Sequence, residues 1–248
     1  MDYICVIPAR YGSTRLPGKP LLDLAGKPLV QWAWESAHNS QASRVVIATD
    51  HNLIRQAAEN FGAEVVMTRE DHPSGTDRLA EVADRLGLDD QQIIVNLQGD
   101  EPDVSPKLLD QVAELLTQAD QATMATLCEP LTRYEDYQNP NVVKVVRDDD
   151  DRALYFSRAA IPWDRDRYAR ARTVGALDAY RRHVGIYGYR VGFLARFVTL
   201  PPARIEQLEA LEQLRALAAG AVIRVPDAVA PCGRGVDTPA DLERLRAG

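Results

Sequence analysis

The chain has 248 residues and a formal net charge of −7. This length suffices for one large α/β domain or two small ones, and the negative charge excludes a general nucleic-acid binder, which carries a basic excess. There is no run of about 18 apolar residues and no secretory signal at the start, so we predict no membrane span. The three cysteines are far apart and in no metal-ligand spacing, which is typical of reduced thiols in a cytoplasmic protein.

The first half of the chain alternates short β-branched runs with longer amphipathic segments. This alternation predicts the Rossmann-like α/β class, with a doubly wound, mainly parallel sheet. Glycine follows the second and third predicted helices, as is common at helix ends. Predicted strands cover residues 3–7, 44–48, 64–67 and 92–97, and predicted helices cover residues 28–37, 52–60, 76–86 and 107–117.

The second half of the chain changes this rhythm, because strand-like segments there outnumber helices. We interpret residues 1–248 as a single domain in which residues 122–200, approximately, form a smaller β-rich lobe. The lobe and the long helix that follows it are candidate dimer contacts. Predicted strands lie at residues 123–127, 142–146, 153–156, 184–190 and 222–225, and predicted helices at residues 203–219 and 239–246.

Residues 8–20 form a loop that directly follows the first predicted strand. The loop contains two glycines, the hydroxyl residue Ser13 and the cations Arg10, Arg15 and Lys19. Open α/β sheets bind ligands beyond the carboxyl ends of their strands, and free backbone N–H groups with clustered cations suit a polyphosphate. The loop matches neither the P-loop nor the dinucleotide fingerprint. The alternative is a surface loop whose charges are solvated.

Two acidic positions are candidate metal ligands. Asp100 and the adjacent Glu101 lie in the turn after the fourth predicted strand, where a carboxylate can hold Mg²⁺ that also binds substrate phosphates. The alternative for Asp100 is capping of backbone N–H groups in the turn. Asp237 lies in a similar setting, and its alternative is the N-cap of the last helix. The residues alone do not place these two carboxylates together.

Nine segments, in their order along the chain, resemble those of the 3-deoxy-manno-octulosonate (Kdo) cytidylyltransferases. They span nearly the whole sequence, and the most specific are the opening loop, VNLQGDEP and IPWDRDR. The segments are IPARYGSTRLPGKPL, ATDH, SGTDRLAEV, VNLQGDEP, NPNVVKVV, ALYFSRAAIPWDRDR, RHVGIYGYR, LEALEQLR and GVDTP. The resemblance implies the nucleotide-diphospho-sugar transferase type of the predicted fold.

The resemblance also implies an activity. It is the transfer of CMP from CTP to Kdo, which gives CMP-Kdo and pyrophosphate for lipopolysaccharide synthesis. The resemblance further implies Mg²⁺ as the cofactor, CTP and Kdo as substrates, and a cytoplasmic homodimer with no nucleic-acid or membrane partner.

Site residues follow from the resemblance position by position. The catalytic set is Lys19, Arg10 and Asp100. The nucleotide-binding set is Arg10, Ser13, Arg15, Lys19, Ser74, Thr76 and Arg78, of which the last three match the cytosine-recognising segment. The sugar-binding set is Gln98, Arg158, Arg165, His183, Tyr187, Glu212 and Gln213. The metal ligands are Asp100 and Asp237.

Some of these residues also fit simpler roles. Arg78 would suit an exposed helix position paired with an acid, and His183 would suit a structural histidine. Glu212 and Arg215 would suit a surface pair at i,i+3 spacing. In the sugar site, an arginine or a protonated histidine would hold the carboxylate of the sugar, and Glu, Gln and Tyr would bind its hydroxyls.

Two other functions remain open on the sequence. The first is a cytidylyltransferase for another acidic sugar, such as 8-amino-Kdo or sialic acid. The second is a non-catalytic nucleotide-binding module on the same fold. The chain departs from the expected pattern before GVDTP, where Cys232 and Arg234 would vary the rim of the phosphate site.

Overall fold

The computed structural model describes residues 2–12, 16–118, 122–163, 165, 177, 179–233, 235–236 and 238–246. Its strands are β1 (Tyr3–Ala9), β2 (Asp23–Leu24), β3 (Lys27–Pro28), β4 (Arg44–Thr49), β5 (Glu64–Met67), β6 (Ile93–Asn96), β7 (Met124–Pro130), β8 (Lys144–Arg147), β9 (Ala153–Ser157), β10 (Arg181–Arg190) and β11 (Ile223–Arg224). Its helices are α1 (Leu29–His38), α2 (Asn52–Asn60), α3 (Gly75–Arg85), α4 (Pro106–Gln118), α5 (Tyr134–Gln138), α6 (Val191–Phe197), α7 (Arg204–Glu209), α8 (Gln213–Ala218) and α9 (Pro239–Arg246). Within the described residues, no helix has the length and apolarity needed to cross a membrane.

A mixed, mostly parallel sheet forms the centre of the fold, in the order β11-β7-β10-β6-β1-β4-β5. β1 pairs in parallel with β4 and β6, and β4 pairs in parallel with β5, as the alternation of strands and helices predicts. Apolar clusters cover both faces of the sheet, and β6 is buried along its length. The predicted α/β class with a doubly wound sheet is therefore confirmed, and the carboxyl ends of β1 and β6 lie side by side.

β10 joins the central sheet to the β-rich region. Its second half pairs antiparallel with β6, and its first residues pair with β8, which in turn pairs with β9. Gly188 of β10 faces α4 so closely that a Cβ atom there would lie 2.7 Å from Val112 Cγ1. A side chain at this position would displace α4. β7 and the second half of β10 thus belong to the main sheet, while β8 and β9 flank it; the dimerisation role of this region stays a prediction.

The single helix predicted at residues 203–219 is wrong, because α7 and α8 are separated at Ala210. Ala210 has a left-handed backbone, with φ 50°, which costs free energy for a residue with a Cβ. The Arg158 guanidinium donates to the carbonyl oxygens of Glu209 and Ala210, and Ser157 Oγ donates to the Glu209 carboxylate. These contacts from β9 and the residue after it stabilise the break, so the apolar periodicity of the segment could not predict it.

Candidate active site

A cavity of about 550 Å³ opens at the carboxyl ends of β1 and β6. Its walls come from five separate parts of the chain: the opening loop, the start of α3, the end of β6 with its following turn, β10, and the residue before α8. The lining residues are Pro8, Ala9, Arg10, Gly12, Lys19, Pro20, Gly75, Thr76, Asn96, Gln98, Gly99, Asp100, Tyr187, Tyr189 and Glu212. This is the edge at which open α/β sheets bind ligands.

The cavity brings together predicted residues from all four sets, the catalytic, nucleotide-binding, sugar-binding and metal residues. Those that line it are Arg10, Lys19, Thr76, Gln98, Asp100, Tyr187 and Glu212. The predicted residues that are described but do not line it are Ser74, Arg78, Arg158, Arg165, His183 and Gln213. Ser13, Arg15 and Asp237 lie outside the described residues.

Lys19 and Asp100 form an ion pair at the base of the cavity. Lys19 Nζ donates to Asp100 Oδ2, and the side chains are 11% and 32% exposed. Lys19 begins a single 3-10 turn, and the preceding Gly18 has a left-handed backbone with φ 65°, which glycine adopts at little cost. A cation and a carboxylate held together beside a cavity can both engage a phosphate and its counter-ion. The carboxylate of Asp100 therefore does more than cap backbone N–H groups.

The segment that precedes Asp237 is held against the turn that contains Asp100. Val236 N–H donates to the Asp100 carbonyl over 2.9 Å, and Gly233 N–H donates to the Asp103 carbonyl over 3.1 Å. A Cβ atom on Gly233 would lie 2.7 Å from the Asp103 backbone oxygen, so only glycine permits this approach. The fold thus brings the residue next to Asp237 into contact with Asp100, which spacing along the chain could not predict.

The start of α9 is capped by the residue that precedes Pro239. Thr238 caps α9, because its Oγ1 accepts a hydrogen bond from Asp241 N–H. The Asp241 carboxylate in turn accepts from Thr238 N–H and Oγ1. This is a reciprocal capping box in which the cap is one residue after Asp237.

Tyr11 ties the opening loop to the body of the protein. Its N–H donates to Asp50 Oδ1 over 3.4 Å, and its carbonyl accepts from Gly18 N–H over 3.1 Å. Its ring stacks on His51 with centroids 3.9 Å apart. Because Gly18 immediately precedes Lys19, these contacts hold the two ends of the loop that carry Arg10 and Lys19 at a fixed separation.

Arg78 supports this arrangement from within the core. Its side chain is fully buried, and its guanidinium donates to Thr68 Oγ1 and, over 2.7 Å, to Asp50 Oδ2. The alternative of an exposed helix residue is therefore wrong. Since Asp50 also accepts from Tyr11 N–H, the buried Arg78 connects α3 to the opening loop through a single carboxylate. The role of Arg78 in cytosine recognition stays a prediction.

We expect Asp50→Asn to weaken the use of CTP more than the use of the sugar. Tyr11 and Arg78 donate to different oxygens of the Asp50 carboxylate. The amide of asparagine has an oxygen at only one of these two places, so one of the two hydrogen bonds is lost in this geometry. The KM for CTP should rise by about 5- to 30-fold while the KM for the sugar changes by less than about threefold. Steady-state kinetics with each substrate varied in turn measure both values. Asp71→Asn is the matched control, because Asp71 is 77% exposed and its ion pair with Arg69 spans 3.6 Å. Equal effects of the two variants on the KM for CTP would contradict the role of Asp50 in holding the opening loop.

Glu212 and Thr76 are hydrogen-bonded to each other in the lining of the cavity. Thr76 Oγ1 donates to Glu212 Oε2 over 2.6 Å, and the buried Tyr189 lines the same cavity. Arg215 pairs with Glu206 and not with Glu212. The alternative of a Glu212–Arg215 surface pair is therefore wrong, and the Glu212 carboxylate faces the cavity.

His183 lies behind this wall as a neutral side chain. Burial, with a smaller effect of the Arg182 guanidinium, lowers the pKa of His183 to about 3. Its Nε2 is 2.9 Å from Thr126 Oγ1, and its ring is 5.2 Å from that of Tyr187. This environment disfavours a protonated His183 in the free protein, and its contact with the carboxylate of the sugar stays a prediction. Its described contacts position the Tyr187 ring, which lines the cavity.

The remaining predicted residues have other surroundings. Ser74 is the N-cap of α3 and accepts from Asp77 N–H, and Arg158 donates to backbone carbonyls around Ala210. Gln213 is buried at the start of α8, and Arg165 is exposed. Their roles in binding stay predictions.

Two cavity residues with polar side chains, Asn96 and Tyr189, were not predicted from the sequence. Asn96 ends a strand that is otherwise apolar, and a lone polar residue at the carboxyl end of a buried strand was the available signal. Tyr189 is two residues after Tyr187 on β10, so both side chains lie on the same face of the sheet.

Comparisons with known proteins define the class. A family model described as cytidylyltransferase matches residues 4–223. The solved structure of a CMP:2-keto-3-deoxy-manno-octonic acid synthetase complexed with CTP superposes with a TM-score of 0.89, at 44% identity over 99% of this chain and 97% of that one. A cytidylyltransferase from Leptospira borgpetersenii, at 19% identity, shares the fold with a TM-score of 0.61 over 99% of this chain and 85% of that one. The protein is thus a cytidylyltransferase.

Two curated relatives narrow the class. The 3-deoxy-manno-octulosonate cytidylyltransferase of Pseudomonas fluorescens is 56% identical over 98% of this chain and 96% of its own length. That of Yersinia enterocolitica is 55% identical over 100% of this chain and 98% of its own length. The chain belongs to the 3-deoxy-manno-octulosonate cytidylyltransferase family.

Proposed function

We propose that this protein transfers CMP from CTP to the anomeric hydroxyl of Kdo and releases pyrophosphate. The observation that carries the proposal is the cavity itself, whose lining combines the charged residues Arg10, Lys19 and Asp100 with the hydrogen-bonding residues Glu212 and Tyr187. Cations suit the triphosphate of CTP, and hydrogen-bonding groups suit a polyhydroxylated sugar. The solved relative complexed with CTP has 44% of its residues in common with this chain, which supports CTP as the nucleotide.

The opening loop takes the triphosphate in this proposal. Arg10 and Lys19 line the cavity, and Tyr11 holds them in place through Asp50. Lys19 is nearly buried, so its charge acts in a medium of lower effective dielectric constant than water and is less screened by salt. Arg15 and Ser13 complete the nucleotide site in the proposal.

Asp100 fits a magnesium site. Its carboxylate supplies hard oxygen ligands at the edge of the sheet, and a third of its side chain is open to the cavity. The contact of Val236 with Asp100 supports Asp237 as a second ligand. When bound, Mg²⁺ would neutralise phosphate charge and polarise the phosphoryl group.

The reaction needs positioning more than covalent chemistry from the protein. The anomeric oxygen of Kdo forms a bond to the α-phosphorus of CTP, the bond from that phosphorus to the β-phosphate oxygen breaks, and the hydroxyl proton passes to solvent. Lys19 and Arg10 stabilise the negative charge that develops on pyrophosphate, and the cavity walls align the two reactants. His183 contacts the Tyr187 ring from outside the cavity lining and helps to position it.

We also propose the pathway, the compartment and the assembly state of the protein. The product would be consumed in lipopolysaccharide synthesis, and the protein would act in the cytoplasm as a homodimer. Leu154 on β9 and Leu208 on α7 are 60% and 74% exposed, and exposed apolar side chains of this size suit a protein contact. Sedimentation of the purified protein would measure its assembly state.

A panel of acidic sugars tests the substrate. Pyrophosphate release from CTP is measured with Mg²⁺ and with Kdo, 8-amino-Kdo or sialic acid in turn. Kdo is expected to give the highest kcat/KM. A preference for sialic acid or 8-amino-Kdo would replace Kdo in the proposal, and no release with any sugar would contradict a transferase. The comparisons do not favour the non-catalytic alternative, since the curated relatives are named as enzymes.

A further inference from the structure

Asn96 is a buried polar residue at the floor of the cavity. It is the last residue of β6, its side chain is 3% exposed, and it lines the cavity. Among the described residues, its Oδ1 atom is buried and has no hydrogen-bond partner. Buried amide groups in folded proteins are nearly always satisfied, so this atom calls for a partner beyond the described residues, and its place in the cavity lining makes a bound ligand a candidate.

The surroundings of Asn96 make an unpaired amide costly. The other residues of β6, Ile93, Ile94 and Val95, are buried and apolar. Apolar clusters cover the two faces of this strand, and an apolar side chain at position 96 would satisfy the packing without leaving an acceptor unpaired. Asn96 therefore lowers the stability of the free protein. Such residues are common in binding sites, where a ligand supplies the missing hydrogen bond.

Glu212 gives a second, independent observation. Its Oε2 accepts from Thr76, but its Oε1 is buried and, within the described part of the chain, has no hydrogen-bond partner. Glu212 lines the same cavity. In the antiparallel register of β6 and β10, Asn96 lies opposite Tyr187, so the amide is on the Tyr187 side of the cavity.

Both unpaired atoms are hydrogen-bond acceptors, which restricts what can satisfy them. Phosphate and carboxylate groups offer only acceptors when ionised, so neither the triphosphate nor the sugar carboxylate fits. Hydroxyl groups are donors, as is the exocyclic amine of cytosine. CTP has two hydroxyl groups on its ribose, and the sugar brings a larger number of them.

We propose that Asn96 is a specificity-determining residue whose amide oxygen, beside Glu212 Oε1, accepts a hydrogen bond from a hydroxyl group of the acidic sugar. The inference rests on the proposed transfer to Kdo. It adds to the sugar site a residue on the central strand of the sheet. A buried acceptor discriminates strongly against an analogue that lacks the matching hydroxyl, because that analogue leaves the acceptor unpaired.

The test combines Asn96→Leu with a series of singly deoxygenated Kdo analogues. Leucine has the same branching of its heavy atoms as asparagine and no hydrogen-bonding group. For this variant we expect kcat/KM for Kdo to fall by about 10- to 100-fold, with the KM for CTP changed by less than about threefold. One deoxy analogue should react with the variant as well as Kdo does, although wild-type protein discriminates against it. Asn96→Asp retains an acceptor in the same place and should keep the wild-type ranking of the analogues.

Thermal unfolding of the free protein separates this role from a structural one. Asn96→Leu removes an unpaired buried acceptor, so its melting temperature should equal or exceed that of the wild type. Ser36→Ala is the matched control, because Ser36 Oγ donates to the Val104 carbonyl over 2.5 Å and its loss should lower the melting temperature.

Three results would overturn the inference. The first is a raised KM for CTP in Asn96→Leu, with no such rise in the KM for UTP, which would assign the amide to cytosine. The second is a full penalty for every deoxy analogue in the variant, and the third is a lowered melting temperature with unchanged kinetics. Failure of the proposed function is distinguishable from all three, because wild-type protein would then release no pyrophosphate with Kdo.

Discussion

Asp100→Asn is expected to lower kcat by at least about 10²- to 10³-fold while the fold survives. Asp100 is paired with Lys19 at the edge of the sheet and lines the cavity. The amide is nearly isosteric, so packing is preserved, but the negative charge that would hold Mg²⁺ and pair with Lys19 is lost. The measurement is kcat at saturating CTP and Kdo over a range of Mg²⁺ concentrations, with circular dichroism as the check on folding.

Asp103→Asn is the control for this experiment. Asp103 is in the same turn, is exposed, and does not line the cavity. Its substitution should leave kcat within about threefold of the wild type. Near-normal kcat of Asp100→Asn in saturating Mg²⁺ would remove Asp100 from the metal site.

Lys19→Ala is expected to lower kcat/KM for CTP by about 10²-fold or more, with the KM for Kdo changed by less than about threefold. The nearly buried ammonium of Lys19 would contact the triphosphate, and its removal also leaves Asp100 without its cationic partner. Initial rates with each substrate varied in turn separate the two effects.

Lys27→Ala is the matched lysine variant. Lys27 pairs with Glu35 over 2.8 Å and is 38% exposed, and such surface pairs contribute at most about 1 kcal/mol to stability. Its kinetics should equal those of the wild type. If Lys19→Ala weakened the use of CTP and of Kdo equally, the triphosphate role of Lys19 would be contradicted.

The parallel part of the fold could be predicted because its signals are local. Each parallel strand of the first half is a short run rich in β-branched residues, and these elements and the predicted ones differ by at most two residues at an end. α2 and β5 match their predicted ranges, whereas the two-residue strands β2 and β3 were not predicted. The break at Ala210 could not be predicted, since it depends on Arg158 and Ser157, which are about 50 residues away along the chain. The short helices α5 and α6 were missed for a related reason, because so few residues give little periodicity.

In the candidate site too, residues with local sequence signals could be predicted and those defined by distant contacts could not. Arg10, Lys19 and Asp100 could be predicted because each lies in a loop or turn that follows a buried strand at the binding edge. The arrangement of Asp50 between Arg78 and Tyr11 could not, since three segments far apart in sequence meet at one carboxylate. Asn96 could not be assigned to the sugar, because its place at the end of an apolar strand indicates only the binding edge, and its missing partner is visible only in the structure.

The position of the label after reaction with labelled CTP tests the central claim most directly. Purified protein is incubated with Kdo, Mg²⁺ and CTP labelled at the α-phosphorus or, separately, at the γ-phosphorus. The account predicts that the α-label appears only in the sugar nucleotide and the γ-label only in pyrophosphate. Transfer of the γ-label to the sugar, or release of α-labelled CMP without formation of a sugar nucleotide, would contradict it.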